Sequence, residues 1–285
     1  MKKKALYVDP GIVIGERKEA VDLQILAQVS EDLESYCGLP MKTLARNWWA
    51  HREKTHHEEE RILQSAQNQK SILDFYAETD YYLYECTYWE AQKDKQREYR
   101  KIWLACTKWG LKKLLDFGGG TGGGTLYFHR RGMACDYLDV PGKTSAFAEW
   151  RFSKRGLSVA IHPPDPSQLP ANHYDGIIAY DVLEHLFDVP AAVRPIARSL
   201  KPGGLLFAKS TFGGGGAHLH QNERYEDVRT FSQLCSEQGL RFLGQLKTDR
   251  FSQALRHVGL RYVAFKIRIV PRMKSGGNFL LYQKR

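Results

Sequence analysis

Asp181, Glu184 and His185 lie within Ala179-Tyr180-Asp181-Val182-Leu183-Glu184-His185-Leu186. Spacings of three and four put all three on one face if the segment is helical. Two carboxylates and an imidazole suit Mg²⁺, Mn²⁺ or Zn²⁺. His185 alone suits a general base, because histidine titrates near neutrality. His218 and His220 follow four consecutive glycines, Gly213 to Gly216, a composition that fits a flap closing over a pocket. A second constellation lies upstream, in Leu114-Leu115-Asp116-Phe117-Gly118-Gly119-Gly120-Thr121-Gly122. Glycines there let the backbone approach a ligand where side chains would collide. The helix start that follows offers unpaired N–H groups and a positive dipole end. Asp139 stands 23 residues after Asp116. A carboxylate at that place accepts hydrogen bonds from both ribose hydroxyls of a bound nucleoside.

These residues need rigid elements to hold them. From Lys112 onward, apolar strands alternate with helical segments. Seven strands are expected, at Lys113–Phe117, Ala134–Val140, Ser158–His162, Tyr174–Tyr180, Leu205–Ser210, Leu240–Leu246 and Phe279–Gln283. The expected helices are Thr125–Arg131, Thr144–Arg155, Val189–Leu200 and Asp227–Gln238. Such alternation predicts an α/β fold with a doubly wound, mostly parallel sheet covered on both faces. Residues 1–77 read differently. Two short strands flank a Pro10-Gly11 turn, and a helical, polar-rich stretch runs from Glu16 to about Asp74, broken near Cys37–Pro40. His56-His57 falls in a charged run that reads as a solvated helix face. The expected division is therefore a mainly helical extension over 1–77 and a main domain over 78–285. Residues 75–89 hold seven aromatics in fifteen positions. Tyr81, Tyr82, Tyr88 and Trp89 among them suit either a buried helix face or a lid over a ligand.

The loop and Asp139 suit a nicotinamide dinucleotide and S-adenosylmethionine equally. Later segments separate the two. Asp165 follows the third strand, Tyr180-Asp181 ends the fourth, and Leu200-Lys201-Pro202-Gly203-Gly204-Leu205-Leu206 turns into the fifth. In motif order and spacing, residues 80–285 resemble class I S-adenosylmethionine-dependent methyltransferases, which implies a Rossmann-like sheet. Residue by residue, the resemblance implies that Asp116, Gly118, Gly120 and Gly122 cradle the methionine part of the cofactor. Asp139 is then the ribose acid, with Val140 beside the adenine, and Asp165 receives the adenine amino group. Tyr180 and Asp181 stand beside the reactive methyl. Gly119 replaces a Cys or Ser found in many relatives. Gly122-Gly123-Gly124 loosens the helix start, and Pro164-Asp165-Pro166 departs from the usual adenine contact. The Asp181–His185 segment is similar to the metal-binding helix of ubiquinone-pathway O-methyltransferases, but most relatives with this motif bind no metal, so none is expected. His185, His218 and His220 are the expected catalytic bases.

Composition bounds the function further. With 42% apolar and 26% charged residues the chain is globular, which excludes disordered and collagen-like classes. No apolar run reaches the roughly 18 residues that span a bilayer. Five scattered cysteines form neither a disulfide framework nor a Cys-x-x-Cys zinc site, which fits a reducing cytoplasm. They also hold no triad for an iron–sulfur cluster, which disfavours radical chemistry. The net charge of +10 is local: residues 241–285 hold 11 Lys and Arg against one acid. Arg250, Arg256, Arg261, Lys266, Arg268, Arg272 and Lys274 lie between the last two expected strands. That charge fits a small-molecule acceptor bearing carboxylate or phosphate, or else a solvated edge. The expected activity is methyl transfer to oxygen or nitrogen of a small molecule, with carbon a further option. Two alternatives are a nucleic-acid or protein methyltransferase docking through the basic end, and a non-catalytic cofactor-binding partner protein. No RNA-binding module and no Asn/Asp-Pro-Pro-aromatic signature supports the nucleic-acid reading.

Overall fold

The computed structural model describes residues 6–8, 12–14, 21–48, 69–212, 223–248, 267–270 and 279–285. Near the start, β1 (Leu6–Val8) and β2 (Ile12–Ile14) pair antiparallel. Helices follow: α1 (Leu23–Cys37), α2 (residues 41–48), α3 (Gln69–Glu78), α4 (Tyr81–Glu90) and α5 (Lys93–Trp109). Asp22 caps α1 by accepting from the amides of Gln24 and Ile25, and Gly38 ends it at φ 66°. The aromatic segment is thus two helices, α3 and α4, broken at Thr79-Asp80.

The main domain alternates β3 (Lys113–Phe117), α6 (Gly123–His129), β4 (Ala134–Leu138), α7 (Lys143–Lys154), β5 (Ile161–His162), β6 (Tyr174–Tyr180) and α8 (Val189–Ser199). It continues with β7 (Leu200–Lys209), α9 (Val228–Glu237), β8 (Leu240–Thr248), β9 (Ile267–Val270) and β10 (Leu280–Lys284). Strands β3 to β10 form one sheet in the order β5-β4-β3-β6-β7-β10-β8-β9. The first five are parallel, and β10 runs antiparallel to both β7 and β8. All seven expected strands are in place. An eighth, β9, joins the edge by pairing Ile267–Val270 with Thr248–Gln245, which extends β8 beyond the expected Leu246. The third strand is shorter than its apolar content suggests, because Pro163 and Pro164 follow at once and supply no N–H to the ladder.

Alternation along the strands explains the two covered faces. Leu115, Phe117, Ile177, Ala179, Leu206 and Ala208 pack with α8 and α9, while Leu114, Ile178, Leu205 and Phe207 pack with α5 and α6. On α8, Val189, Ala192, Val193 and Ile196 recur at three and four and are buried. The two valines and the isoleucine each contribute about 1.5–3 kcal/mol by leaving water. A third core joins Leu26, Val29 and Leu33 of α1, Met41 and Leu44 of α2, and Leu83 of α4 to Phe147 of α7. The N-terminal helices are therefore packed on the sheet domain.

Candidate active site

The chain leaves β3 toward β4 on one side and returns through β6 on the other. The crevice between the C-terminal ends of β3 and β6 is where open α/β sheets bind ligands. Gly118, Gly120 and Gly122 line the turn there at φ 74°, 56° and 78°. A Cβ on Gly118 would stand 2.3 Å from the Val182 side chain, so no larger residue fits. Asp116 is buried and accepts from the amide and hydroxyl of Thr125, at 2.9 and 3.0 Å, which ties the strand end to the first turn of α6. Asp139 accepts from the amide of Gly120 at 2.5 Å and of Val140 at 2.6 Å. The Tyr137 hydroxyl donates to the Gly120 carbonyl at 2.6 Å. The loop is thus held open by strand-end side chains.

Burial pushes both Asp116 and Asp139 up to about 6, against the hydrogen bonds they accept. Between about pH 4 and 6 the native protein then binds more protons than the unfolded chain, so stability falls as pH rises through that window. The thermal midpoint of the wild type should therefore gain on that of Asp139→Asn as the buffer moves from pH 7 to pH 4. A midpoint difference that stays flat across this range contradicts the assignment.

Among the described residues the crevice has three adjoining lobes. The central one, about 470 Å³, is lined by Gly118, Gly120, Asp139 and Val140 on the floor and by Ile72, Leu73, Tyr76, Tyr82, Cys86 and Trp89 from α3 and α4 above. A lobe of about 250 Å³ continues past Leu138 and Val140 to Pro164–Ser167. A smaller one, about 80 Å³, lies under the glycine loop beside Asp116, Lys95 and Tyr180. Burial pushes the Cys86 thiol up to about 12, so it lines the wall uncharged.

The far wall comes from the turn after β6. Asp181 leaves the strand at φ 53°, a left-handed conformation rare outside glycine but tolerated by Asp, and its amide donates to the Lys209 carbonyl at 2.7 Å. The expectation of one helix face for Asp181, Glu184 and His185 is corrected here. Only Leu183–His185 is helical, a single 3₁₀ turn, and the three side chains go separate ways. Asp181 meets Lys95 Nζ at 3.6 Å. Glu184 is buried and accepts from the Thr211 amide at 3.0 Å. His185 Nδ1 is hydrogen-bonded to the Tyr76 hydroxyl at 2.8 Å. No group of three His, Cys, Asp or Glu side chains among the described residues is arranged to hold a metal ion. Burial raises the Asp181 carboxyl, opposed by Lys95 and reinforced by Glu184.

Residues 115–208, which contain this loop and this turn, match the family model of a methyltransferase domain. The likeness is to class I S-adenosylmethionine-dependent methyltransferases. The chain is 33% identical over 99 residues to the ubiquinone biosynthesis O-methyltransferase of Caulobacter vibrioides, covering 33% of this chain and 38% of that relative. It is 27% identical over 161 residues to phosphoethanolamine N-methyltransferase 1 of Triticum aestivum, covering 50% of this chain and 31% of the other. These alignments span only about a third of the curated relatives' length. Among solved structures, a putative sarcosine dimethylglycine methyltransferase from Galdieria sulphuraria is 19% identical, with a TM-score of 0.45, over 65% of this chain and 85% of that one.

The crevice brings together Gly118, Gly120, Asp139, Val140, Asp181, His185, Tyr82 and Trp89 in its central lobe, and Asp116 and Tyr180 in the small one. Asp165 lies on the rim of the third lobe. Its carboxylate caps the short helix Pro166–Gln168, accepting from the Ser167 amide and hydroxyl and from Gln168 Nε2, and these bonds hold it below the usual carboxylate range. Gly122 faces α7 instead, where a Cβ would stand 2.7 Å from the Phe152 ring. Tyr81 is buried beside Tyr82, and Tyr88 packs on Trp48 with ring centroids 5.3 Å apart. His218, His220, the glycine flap and the basic residues 250, 256, 261, 266, 272 and 274 lie outside the described residues, as does the side chain of Arg268.

Sequence reading missed Lys95 and Lys209. Lys95 Nζ stands 3.2 Å from the Tyr180 ring centroid, a cation–π contact inside the small lobe. In sequence it belongs to Lys93-Asp94-Lys95, which reads as a solvated charge run. Lys209 ends β7 in the central lobe, 4.8 Å from the Tyr180 ring centroid. No helix among the described residues is long and apolar enough to cross a membrane.

Proposed function

We propose that the chain methylates an oxygen or nitrogen of a small acceptor bound in the central lobe. The observation that carries this reading is the convergence on one cavity of the glycine loop, Asp139 and the Tyr76–His185 pair. The loop suits a nucleoside cofactor: Gly118 and Gly120 offer bare backbone to the cavity, a Cβ on Gly118 would collide with Val182, and Asp139 lines the same floor. In this reading Asp139 holds the ribose and the lobe beyond Val140 takes the base. The small lobe with Lys95 takes the charged amino-acid end. The cofactor, when bound, supplies an activated methyl on a sulfonium. His185, oriented through Nδ1 by Tyr76, takes the acceptor's proton at Nε2. Roofing by α3 and α4 excludes water and aligns the acceptor.

Lys209 has no carboxylate within ion-pair distance among the described residues. A cation on this wall fits an acceptor bearing carboxylate or phosphate, in keeping with the phosphate-bearing substrate in the wheat relative's name. Thr144 Oγ1 and Glu184 Oε2, on residues that line the same lobe, are buried with no hydrogen-bond partner among the described residues. They suit an acceptor that also donates hydrogen bonds, such as a phosphorylated amine or an acidic phenol. We also retain the division at residue 77, with the segment before it as extension and partial roof, although α4 shares a core with α1.

Two measurements test the function. Calorimetry should show binding of S-adenosylhomocysteine and none of NAD. Incubation with methyl-labelled S-adenosylmethionine and a panel of phenols, amines and their phosphorylated or carboxylated forms should label an anionic member. Failure to bind S-adenosylhomocysteine overturns the cofactor assignment. Binding with no transfer to any acceptor favours the non-catalytic alternative.

A further inference from the structure

Arg151 lies in the last turn of α7, wholly buried and outside the crevice. Its guanidinium reaches three elements at once. Nε donates to Asp32 of α1 at 3.1 Å. Nη1 and Nη2 make a two-pronged contact with Glu90, the last residue of α4, at 2.7 and 3.1 Å. Nη1 also donates to the carbonyl of Thr121, in the glycine loop, at 2.8 Å. Glu90 in turn abuts the first turn of α6, for a Cβ on Gly123 would lie 2.7 Å from its Oε2. Asp32 is the counter-charge for Lys154 and Arg155 as well.

A buried ion cluster is a weak source of stability, since desolvation offsets much of its attraction. What this one supplies is direction. A loop with three residues at positive φ has wide conformational freedom, and its shape must be imposed. Asp139 fixes it at the Gly120 amide and Arg151 at the Thr121 carbonyl. Because Arg151 also needs Asp32, the second fixing point depends on α1 being seated.

We propose that Arg151 is a positioning residue that couples docking of the N-terminal helices to the shape of the cofactor-holding loop. This rests on the methyltransferase reading above. Coupling of this kind is reciprocal: seating α1 tightens cofactor binding, and cofactor binding seats α1.

The test uses the full chain and S-adenosylhomocysteine. Asp32→Asn should raise its Kd about fivefold to tenfold. Lys154→Met removes another α1–α7 ion pair without touching Arg151 and should leave Kd within about twofold. On an Arg151→Lys background, Asp32→Asn should add at most about a further twofold, because the coupling is already broken. Saturating S-adenosylhomocysteine should slow amide exchange in residues 23–37 of the wild type and do so much less in Asp32→Asn. If Arg151→Lys does not fold, the Asp32→Asn and Lys154→Met comparison and the exchange experiment decide. A folded Asp32→Asn protein with a lower melting point but wild-type Kd and wild-type ligand protection overturns the proposal. Wild-type protein that fails to bind S-adenosylhomocysteine overturns the methyltransferase reading itself, and the coupling with it.

Discussion

His185→Ala is expected to lower methyl-transfer turnover by about 10²–10³-fold while leaving S-adenosylhomocysteine affinity within about twofold. The imidazole lines the central lobe and is oriented by Tyr76, 109 residues earlier in the chain. Its loss removes proton transfer from the transition state and touches neither the glycine loop nor Asp139. Tyr76→Phe keeps the ring packed against Tyr82 but removes the hydroxyl that fixes Nδ1, so its effect should be smaller, about fivefold to tenfold on turnover. Steady-state kinetics at saturating cofactor separates these cases. Unchanged turnover in His185→Ala would mean that placement alone drives the reaction.

Asp139→Ala should produce the largest loss of cofactor affinity. The carboxylate accepts from two backbone amides that then lose their partner. In the proposed complex it also accepts from the ribose. Hydrogen bonds to a charged group contribute about 1.5–3 kcal/mol each, so a net loss of about 2–3 kcal/mol is expected. That is a roughly 30–150-fold rise in Kd for S-adenosylhomocysteine. Turnover at saturating cofactor should change much less, because excess cofactor refills the site and the Tyr76–His185 hydrogen bond does not involve Asp139. A calorimetric Kd equal to that of the wild type would remove Asp139 from the cofactor site.

The parts of this site legible in sequence were those carried by local rules. A glycine loop between an apolar strand and a helix, and an acid at the end of the next strand, are fixed by backbone sterics and by the period of the sheet. Asp181 was legible as a position but not as a conformation, since its left-handed backbone depends on the bond to the Lys209 carbonyl. Arg151 carries no local signal in the sequence. Its burial is set by Asp32, 119 residues away, and by Glu90, 61 residues away, partners that no local pattern announces. Strand β9 escaped for a similar reason: Ile267-Arg268-Ile269-Val270 is short, and it is a strand because β8 offers it an edge.

The roof of the crevice precedes its floor and far wall in the chain. At about 5–20 residues per second, a ribosome takes roughly 5–20 s to travel the 109 residues from Tyr76 to His185. Until Phe147 is made, well into that interval, the faces of α1 and α4 that meet it have only each other and α2 to lie against. The nascent chain therefore carries an uncovered apolar surface through much of its synthesis, a surface suited to a holding chaperone. Slowing translation between codons 90 and 185 should lower the yield of folded protein more than slowing it after codon 240.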